Sequence, residues 1–187
     1  DEGDAQLSWL RTVSIDDPLR RLAALDQAPE ASPEVLVARA RAALEAGRGE
    51  QVEDAVHTLL VNDPWEWRAV WMSGLLALAR GETAQAQSAF NAVYGQVPGE
   101  LAPKLALAFA CESGGEADVA ESLYTVCART DANYIAPAAF GLARIRAARG
   151  DVAGAARALD LVPGTSRAFT QARRRRAGLL AESGGGL

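Results

Sequence analysis

The chain has 187 residues, of which 49% are hydrophobic, and a formal net charge of −5. This acidic balance argues against a general partner such as nucleic acid or an anionic membrane surface. No apolar segment approaches the roughly 20 residues that span a bilayer, and no signal peptide opens the sequence. Since the chain begins at Asp1 and not at methionine, we expect a piece of a longer protein.

Alanine makes up much of the hydrophobic fraction, whereas β-branched and aromatic residues are sparse. Alanine has the highest helix propensity and allows helices to pack closely, so the composition predicts an all-α fold. Cys111 and Cys127 lie 16 residues apart, without a second cysteine pair or a cluster of histidines. We therefore expect two buried, reduced thiols in a cytoplasmic protein, and no metal site or cofactor.

The first predicted helix lies in "DDPLRRLAALDQ" (16–27), where Asp16 or Asp17 can cap its N-terminus. The segment "QAPEASP" (27–33) then forms a linker into a new helix, which Ser32 and Pro33 can start. Residues 1–31 are thus predicted to be an N-terminal helical segment and linker.

From here on the sequence repeats with a period near 34 residues. The clearest copies are "GETAQAQSAF" (81–90), "GEADVAESLY" (115–124) and "GDVAGAARAL" (150–159), and "GEQVEDAVHTL" (49–59) is a weaker first copy that is one residue longer. Pro64 and Pro98 keep the same interval, as do Pro103 and Pro137. Such a period is typical of repeat architectures built from helical hairpins.

Each repeat resolves into two helices, as the second copy illustrates. Asp63 is a plausible N-cap with Pro64 at the first helical position, and Gly81 can end the helix in the left-handed conformation. Gly74 allows the second helix to cross closely, and Phe90 supplies an aromatic plug. These are the features of a tetratricopeptide repeat.

The two later prolines fit the same scheme, because Pro103 and Pro137 would each lie in the first turn of a helix, where proline is tolerated. The sequence therefore predicts an all-α, tetratricopeptide-repeat (TPR-like) fold, a right-handed superhelix of antiparallel helix pairs with a flanking N-terminal helix and a C-terminal capping helix. Its predicted parts are four hairpins within 32–164 (about 32–63, 64–98, 99–132 and 133–164), a capping helix at 165–182, and a disordered tail at 183–187.

The first helix of each hairpin lines the inner face of such an array. The residues expected on this face, as candidates for partner binding, are Arg68, Trp71, Leu75, Leu78, Leu105, Phe109, Glu112, Phe140 and Arg144. Most of them are apolar, and each large apolar group could contribute about 1.5–3 kcal/mol when a partner buries it. We therefore expect the face to pack against another domain, a helix or a second copy. Alternatively, some of these side chains are core between helices.

The run "QARRRRAG" (171–178) is the only basic segment, and the four arginines from Arg173 to Arg176 go right round a helix. This pattern favours a solvated capping helix, with an electrostatic contact to an acidic partner as the alternative.

Nothing in the sequence indicates catalysis. His57 is the single histidine and has no nucleophile signature beside it, and "ESGGE" and "SGGGL" lack the strand and lysine of a phosphate-binding loop. Asp118 and Glu121 fall on helical positions that we expect to be exposed and to serve solubility. We therefore expect no catalytic, cofactor-binding or metal-binding residues, and the chain by itself is not predicted to be an enzyme.

Three segments go beyond the generic repeat: "WEWRAVW", "PGELAPKLALA" and "AAFGLAR". Together with their surroundings at 63–112, 124–151 and 159–166, they resemble the C-terminal repeat domain of the actinobacterial serine/threonine protein kinase G family. The resemblance covers roughly residues 15–175.

The resemblance implies a parent with a rubredoxin-like metal module and a kinase domain ahead of this repeat domain. It also implies a non-catalytic interaction and regulatory module that forms a homodimer. Its partners would be proteins: its own kinase domain, a second copy of itself or a substrate protein. No kinase motif can be placed on this chain. The alternative hypothesis is an independent TPR scaffold that binds a peptide of another protein in its apolar groove.

Overall fold

A computed structural model describes residues 3–184, and this part of the chain is entirely helical, with eleven α-helices and no strand. The helices are α1 (Leu7–Leu10), α2 (Pro18–Leu25), α3 (Pro33–Glu45), α4 (Gly49–Asn62), α5 (Trp67–Arg80), α6 (Thr83–Gln96), α7 (Leu101–Ser113), α8 (Ala117–Thr130), α9 (Ala132–Ala148), α10 (Val152–Asp160) and α11 (Phe169–Gly184). They form two compact units, one ending at Gln96 and the other beginning at Val97.

In the first unit, two of the side chains predicted to cap helices, Asp17 and Ser32, do so. The Asp17 carboxylate accepts a hydrogen bond from the backbone N–H of Arg20 at 2.8 Å and starts α2, so the cap is Asp17 and not Asp16. Ser32 likewise accepts from the N–H of Val35 at 3.4 Å and starts α3. These caps orient α2 so that its leucines enter the core formed with α3, α4 and α5.

The predicted start of α5 is wrong. The helix begins at Trp67, and the Glu66 carboxylate accepts from the N–H of Arg68 at 3.1 Å. Asp63 instead accepts from the N–H of Trp65 at 2.9 Å. An aspartate bonded two residues ahead forms a turn of its own, so Pro64 lies in that turn and not in the helix.

Four glycines mark the turns inside the hairpins. Gly47, Gly81, Gly115 and Gly150 have φ angles of 69°, 77°, 86° and 80°, in the left-handed region that glycine adopts without steric cost. Gly81 thus ends α5 as predicted. In the first repeat the turn glycine is Gly47, whereas Gly49 opens α4, so the predicted register there is wrong. The copy keeps the 34-residue period without an extra residue.

The close helix crossing predicted at Gly74 is confirmed. Phe90 on α6 is fully buried, and a Cβ at Gly74 would lie 2.6 Å from Phe90 Cε1. In the second unit a Cβ at Gly141 on α9 would overlap the ring of Tyr124 on α8, which is also buried. Each crossing therefore depends on a glycine that leaves room for an aromatic ring.

The two prolines of the second unit behave differently. Pro103 is the third residue of α7, in the first turn as predicted. Pro137 is the sixth residue of α9, inside the helix, so that prediction is wrong. The reason is that Asp131 accepts from the N–H of Asn133 at 2.7 Å and starts the helix at Ala132. Proline there removes one backbone hydrogen bond from the helix.

Acidic residues of α8 link it to α9, contrary to the expected role in solubility alone. Glu121 accepts hydrogen bonds from Arg146 Nε and Arg149 Nη1, both at 2.8 Å, and Asp118 Oδ1 lies 2.6 Å from Arg149 Nη2. These contacts help to hold the two helices in register.

Several other sequence expectations have a clear outcome. Cys111 and Cys127 are buried and form no disulfide, as predicted. The final helix continues to Gly184, so residues 183 and 184 are helical and not a disordered tail, while residues 185–187 lie outside the described part of the chain. Within residues 3–184, no helix is long and apolar enough to cross a membrane.

Candidate interaction surface

The predicted inner-face residues lie on α5, α7 and α9, and the first of them is already engaged. Arg68 donates from Nε and Nη2 to Glu66 at 2.9 and 2.7 Å, and from Nη1 to Glu34 on α3 at 2.6 Å. The hydrogen bonds to Glu66 and then Glu34 raise the pKa of Arg68, whereas burial opposes that change. Arg68 therefore connects α3 to α5 and has little left to offer a partner.

The apolar candidates of the first unit are half-buried against their own core. The ring of Trp71 lies 5.2 Å from that of Phe90, centroid to centroid, at an interplanar angle of 54°. Leu75 packs on the same core, and Leu78 is also half-buried. This arrangement matches the alternative interpretation, in which such side chains contribute to the core between helices.

The second unit presents the most exposed apolar candidate. Phe109 on α7 is 44% exposed, while Leu105 and Phe140 are half-buried. The Arg144 guanidinium carbon lies 6.0 Å from the centre of the Phe109 ring, within the range of a cation–π contact. Phe109 and Arg144 thus form a surface with both an apolar and a cationic component.

Glu112, Arg144 and Tyr124 form a hydrogen-bonded network across three helices. Arg144 donates from Nε and Nη2 to the two Glu112 oxygens, each at 2.7 Å, and the Tyr124 hydroxyl donates to Glu112 Oε2 at 2.7 Å. Burial raises the pKa of Glu112, but the hydrogen bonds from Arg144 and Tyr124 lower it by more. The pKa of Glu112 therefore lies below its ordinary value. Burial and the bond to Glu112 raise the pKa of Tyr124. The network keeps Glu112 ionised and Tyr124 neutral.

A cavity of about 530 Å³ lies between α9 and α11 in the second unit. The residues that line it are Phe140, Ala143, Arg144, Gln171, Arg174, Arg175 and Gly178. Arg173 and Arg176 face elsewhere, because both bind Asp160 at the end of α10, each with an N–O distance of 2.9 Å. The basic run is thus divided between a structural pair and a cavity-lining pair.

The sequence analysis predicted neither this division of the arginines nor the exposed apolar residues near the start of α5. Trp65 is 78% exposed and Val61 67% exposed, just ahead of α5, and Trp67 is 37% exposed at its start. The signal for the arginines was their spacing, since Arg173 and Arg176 are three apart and share a helix face. The signal for Trp65 was Asp63, whose turn keeps the residue outside the helix.

The structure also places the residue types that could form a metal or catalytic site, which the sequence analysis did not expect. Across residues 3–184, no group of three or more histidine, cysteine, aspartate and glutamate side chains is placed to hold a metal ion. His57 is exposed on α4.

The fold is that of tetratricopeptide-repeat proteins. A thermophilic TPR protein of Thermus thermophilus superposes with a TM-score of 0.72 at 17% identity, over 95% of this chain and 100% of that one. A MamA fragment from Desulfovibrio magneticus RS-1 gives a TM-score of 0.66 at 16% identity, over 84% and 93%. At these identities the likeness concerns the fold.

Within that class the sequence identifies a particular family. Residues 3–183 match the protein kinase G tetratricopeptide repeat family, and the chain belongs to it. The serine/threonine-protein kinase PknG of Mycobacterium leprae (strain TN) is 41% identical over 142 residues, and that of Mycolicibacterium smegmatis is 38% identical over 142 residues. The match spans 76% of this chain but only 18% of either relative.

Proposed function

We propose that this chain is a non-catalytic protein-interaction module that dimerises and regulates a serine/threonine protein kinase. The observation that carries the proposal is the match of residues 3–183 to the repeat family of protein kinase G. Two curated relatives are serine/threonine kinases, and the matched part of the chain spans 18% of their length. The kinase domain would thus lie elsewhere in the parent. A cytoplasmic location for the parent is part of the same proposal.

The surface proposed for this role is the inner face of the hairpins, with Phe109 as its main contact. Phe109 is 44% exposed although it is a large aromatic residue. Since fully burying such a side chain contributes about 1.5–3 kcal/mol, covering its exposed part would contribute roughly 1 kcal/mol. Leu105 and Phe140 are half-buried in the same unit. In contrast, Trp71 and Leu75 already pack on their own core and should contribute less. A second copy or the kinase domain would cover this face.

Sedimentation of the full chain tests the self-association. We expect a concentration-dependent dimer in the micromolar range that weakens about tenfold in Phe109→Ala, because a symmetric dimer loses the ring on both copies, about 1.4 kcal/mol or more in all. Val126→Ala is the matched control, since Val126 is also 44% exposed but lies on α8. A strict monomer at high micromolar concentration, or equal effects of the two variants, would contradict dimerisation through this face.

Contact with the kinase needs a separate measurement. A kinase domain of this family supplied in trans should bind the chain more tightly than it binds Phe109→Ala. Activity of the kinase domain should also change on addition of the chain. If neither occurs and a third protein is captured instead, and lost in Phe109→Ala, the chain is an independent peptide-binding scaffold.

A further inference from the structure

We propose that the cavity between α9 and α11 binds an acidic peptide segment of a partner protein. In this arrangement the peptide's carboxylates bind Arg174 and Arg175, and a neighbouring apolar side chain packs on Phe140. The inference deepens the interaction role proposed above by naming the chemistry of a partner, and it does not depend on dimerisation.

The first support is the distribution of ion pairs along α11. Arg173 and Arg176 both pair with Asp160, whose single charge offsets one of theirs. Arg174 and Arg175 line the cavity, and no ion pair joins either of them to an acidic residue in the part of the chain that the structure describes. Two unneutralised guanidinium groups on one cavity wall repel each other, and an anionic ligand relieves that repulsion.

The second support is the composition of the opposite wall. Arg144 on α9 uses Nε and Nη2 to bind Glu112, which fixes its position at the cavity edge. Phe140 and Ala143 on the same helix add an apolar surface. Arginine forms planar, bidentate hydrogen bonds with carboxylates, so the cavity combines two carboxylate-binding groups with a place for an apolar side chain.

The two units also differ in net charge. Residues 1–96 contain 8 basic and 15 acidic side chains, for a net charge of −7, whereas residues 97–187 contain 11 basic and 9 acidic ones, for +2. The cavity therefore lies in the unit that attracts anions. Because the whole chain is negative at −5, an extended polyanion such as nucleic acid is disfavoured relative to a short acidic segment.

The size of the cavity fits a segment and not a domain. Its volume of about 530 Å³ falls within the roughly 300–1,000 Å³ that is typical of ligand pockets. It can hold a few side chains of an extended peptide. A free inorganic anion would use the arginines but leave the ring of Phe140 without a partner.

Fluorescence anisotropy on the full chain tests the proposal, with a short fluorescein-labelled peptide in which glutamates flank one leucine. We expect saturable binding that weakens about tenfold or more in the double variant Arg174→Gln/Arg175→Gln. The matched control is Arg173→Gln/Arg176→Gln, which removes the same charge from the same helix outside the cavity and should change the affinity less than about threefold. Circular dichroism of both variants checks that they remain helical.

Two further peptides test the chemistry of recognition. Replacing the glutamates by glutamine should abolish binding, and replacing the leucine by alanine should weaken it severalfold. The proposal is overturned if the wild-type chain does not bind the acidic peptide or if the two double variants lose affinity equally. Displacement of the peptide by an equal concentration of inorganic phosphate also overturns it, because that result indicates a simple anion site. Dimerisation measured by sedimentation is independent of each of these outcomes.

Discussion

At the scale of single residues, a glycine is required for one of two reasons, its backbone conformation or the side chain packed against it. Gly81 and Gly150 have positive φ angles and open space around them, so their turns require glycine. Gly74 and Gly141 have ordinary helical conformations, but an aromatic ring occupies the place where a side chain would be. The sequence period pointed to Gly74, but Gly141 could only be recognised once Tyr124 was seen against it.

The variant Gly141→Ala tests this explanation. The new methyl group would overlap the buried Tyr124 ring, whose hydroxyl is held by Glu112, so the ring cannot simply move away. We expect the free energy of unfolding to fall by about 1–3 kcal/mol in urea titrations. Gly178→Ala in α11 is the control. Nothing lies within 4 Å of its Cβ position, so alanine should stabilise the chain by up to about 1 kcal/mol. Equal effects of the two substitutions would show that the crossing is loosely packed.

At the scale of helices, local signals predicted some boundaries and failed at others. Ser32 starts its helix as expected because the serine, the proline and the helix agree with one another. α5 and α9 start elsewhere because a different residue caps each helix, Glu66 for α5 and Asp131 for α9. Asp63 forms a separate turn, and Asp131 starts α9 well ahead of Pro137, which therefore lies inside the helix. The positions of prolines in a sequence do not show which candidate N-cap residue accepts the backbone hydrogen bond that starts the helix.

The hydrogen bonds through which Glu112 joins three helices lead to a prediction about stability in acid. Glu112 on α7 binds Arg144 on α9 and Tyr124 on α8, and its pKa lies below the ordinary value of 4.5. Because the carboxylate is favoured in the folded chain, its contribution is present above about pH 4.5 and is lost as the pH falls through the lower native pKa. The network therefore helps to hold the second unit together at neutral pH and weakens in acid.

Urea titrations of Glu112→Gln at a series of pH values measure this contribution. We expect the variant to be about 1–3 kcal/mol less stable than the wild type at pH 7, since Arg144 loses a charged partner. The difference should shrink from about pH 5 to pH 3, as the wild-type carboxylate becomes protonated. Glu182→Gln, an exposed position on α11, serves as the control and should leave the curve unchanged. A difference that stays constant with pH would mean that Glu112 acts only through packing.

At the scale of the whole molecule, the sequence predicted the class of fold and much less of the surface. The 34-residue period arises from contacts close along the chain, which is why helical hairpins and their turn glycines could be read from it. The character of the candidate face depends on residues far apart in sequence. Arg68 is bound by Glu34, 34 residues earlier, and Glu112 is bound by Arg144, 32 residues later. In each unit, the candidate residues, which were expected to be largely apolar, therefore include charged side chains that are already paired.

The same mixture of apolar and charged contacts lets salt distinguish the two proposed interactions. Raising the salt concentration from about 0.1 M to 1 M shortens the screening length from about 10 Å to 3 Å. Acidic-peptide binding at Arg174 and Arg175 should then weaken at least about tenfold, because it depends on exposed charges. Self-association through Phe109 should change by less than about threefold, because burial of an aromatic ring is not screened. Anisotropy and sedimentation in the same buffers measure both. If the two interactions lost affinity in parallel, dimerisation would depend on charge and not on burial of the Phe109 ring, which would contradict the proposed face.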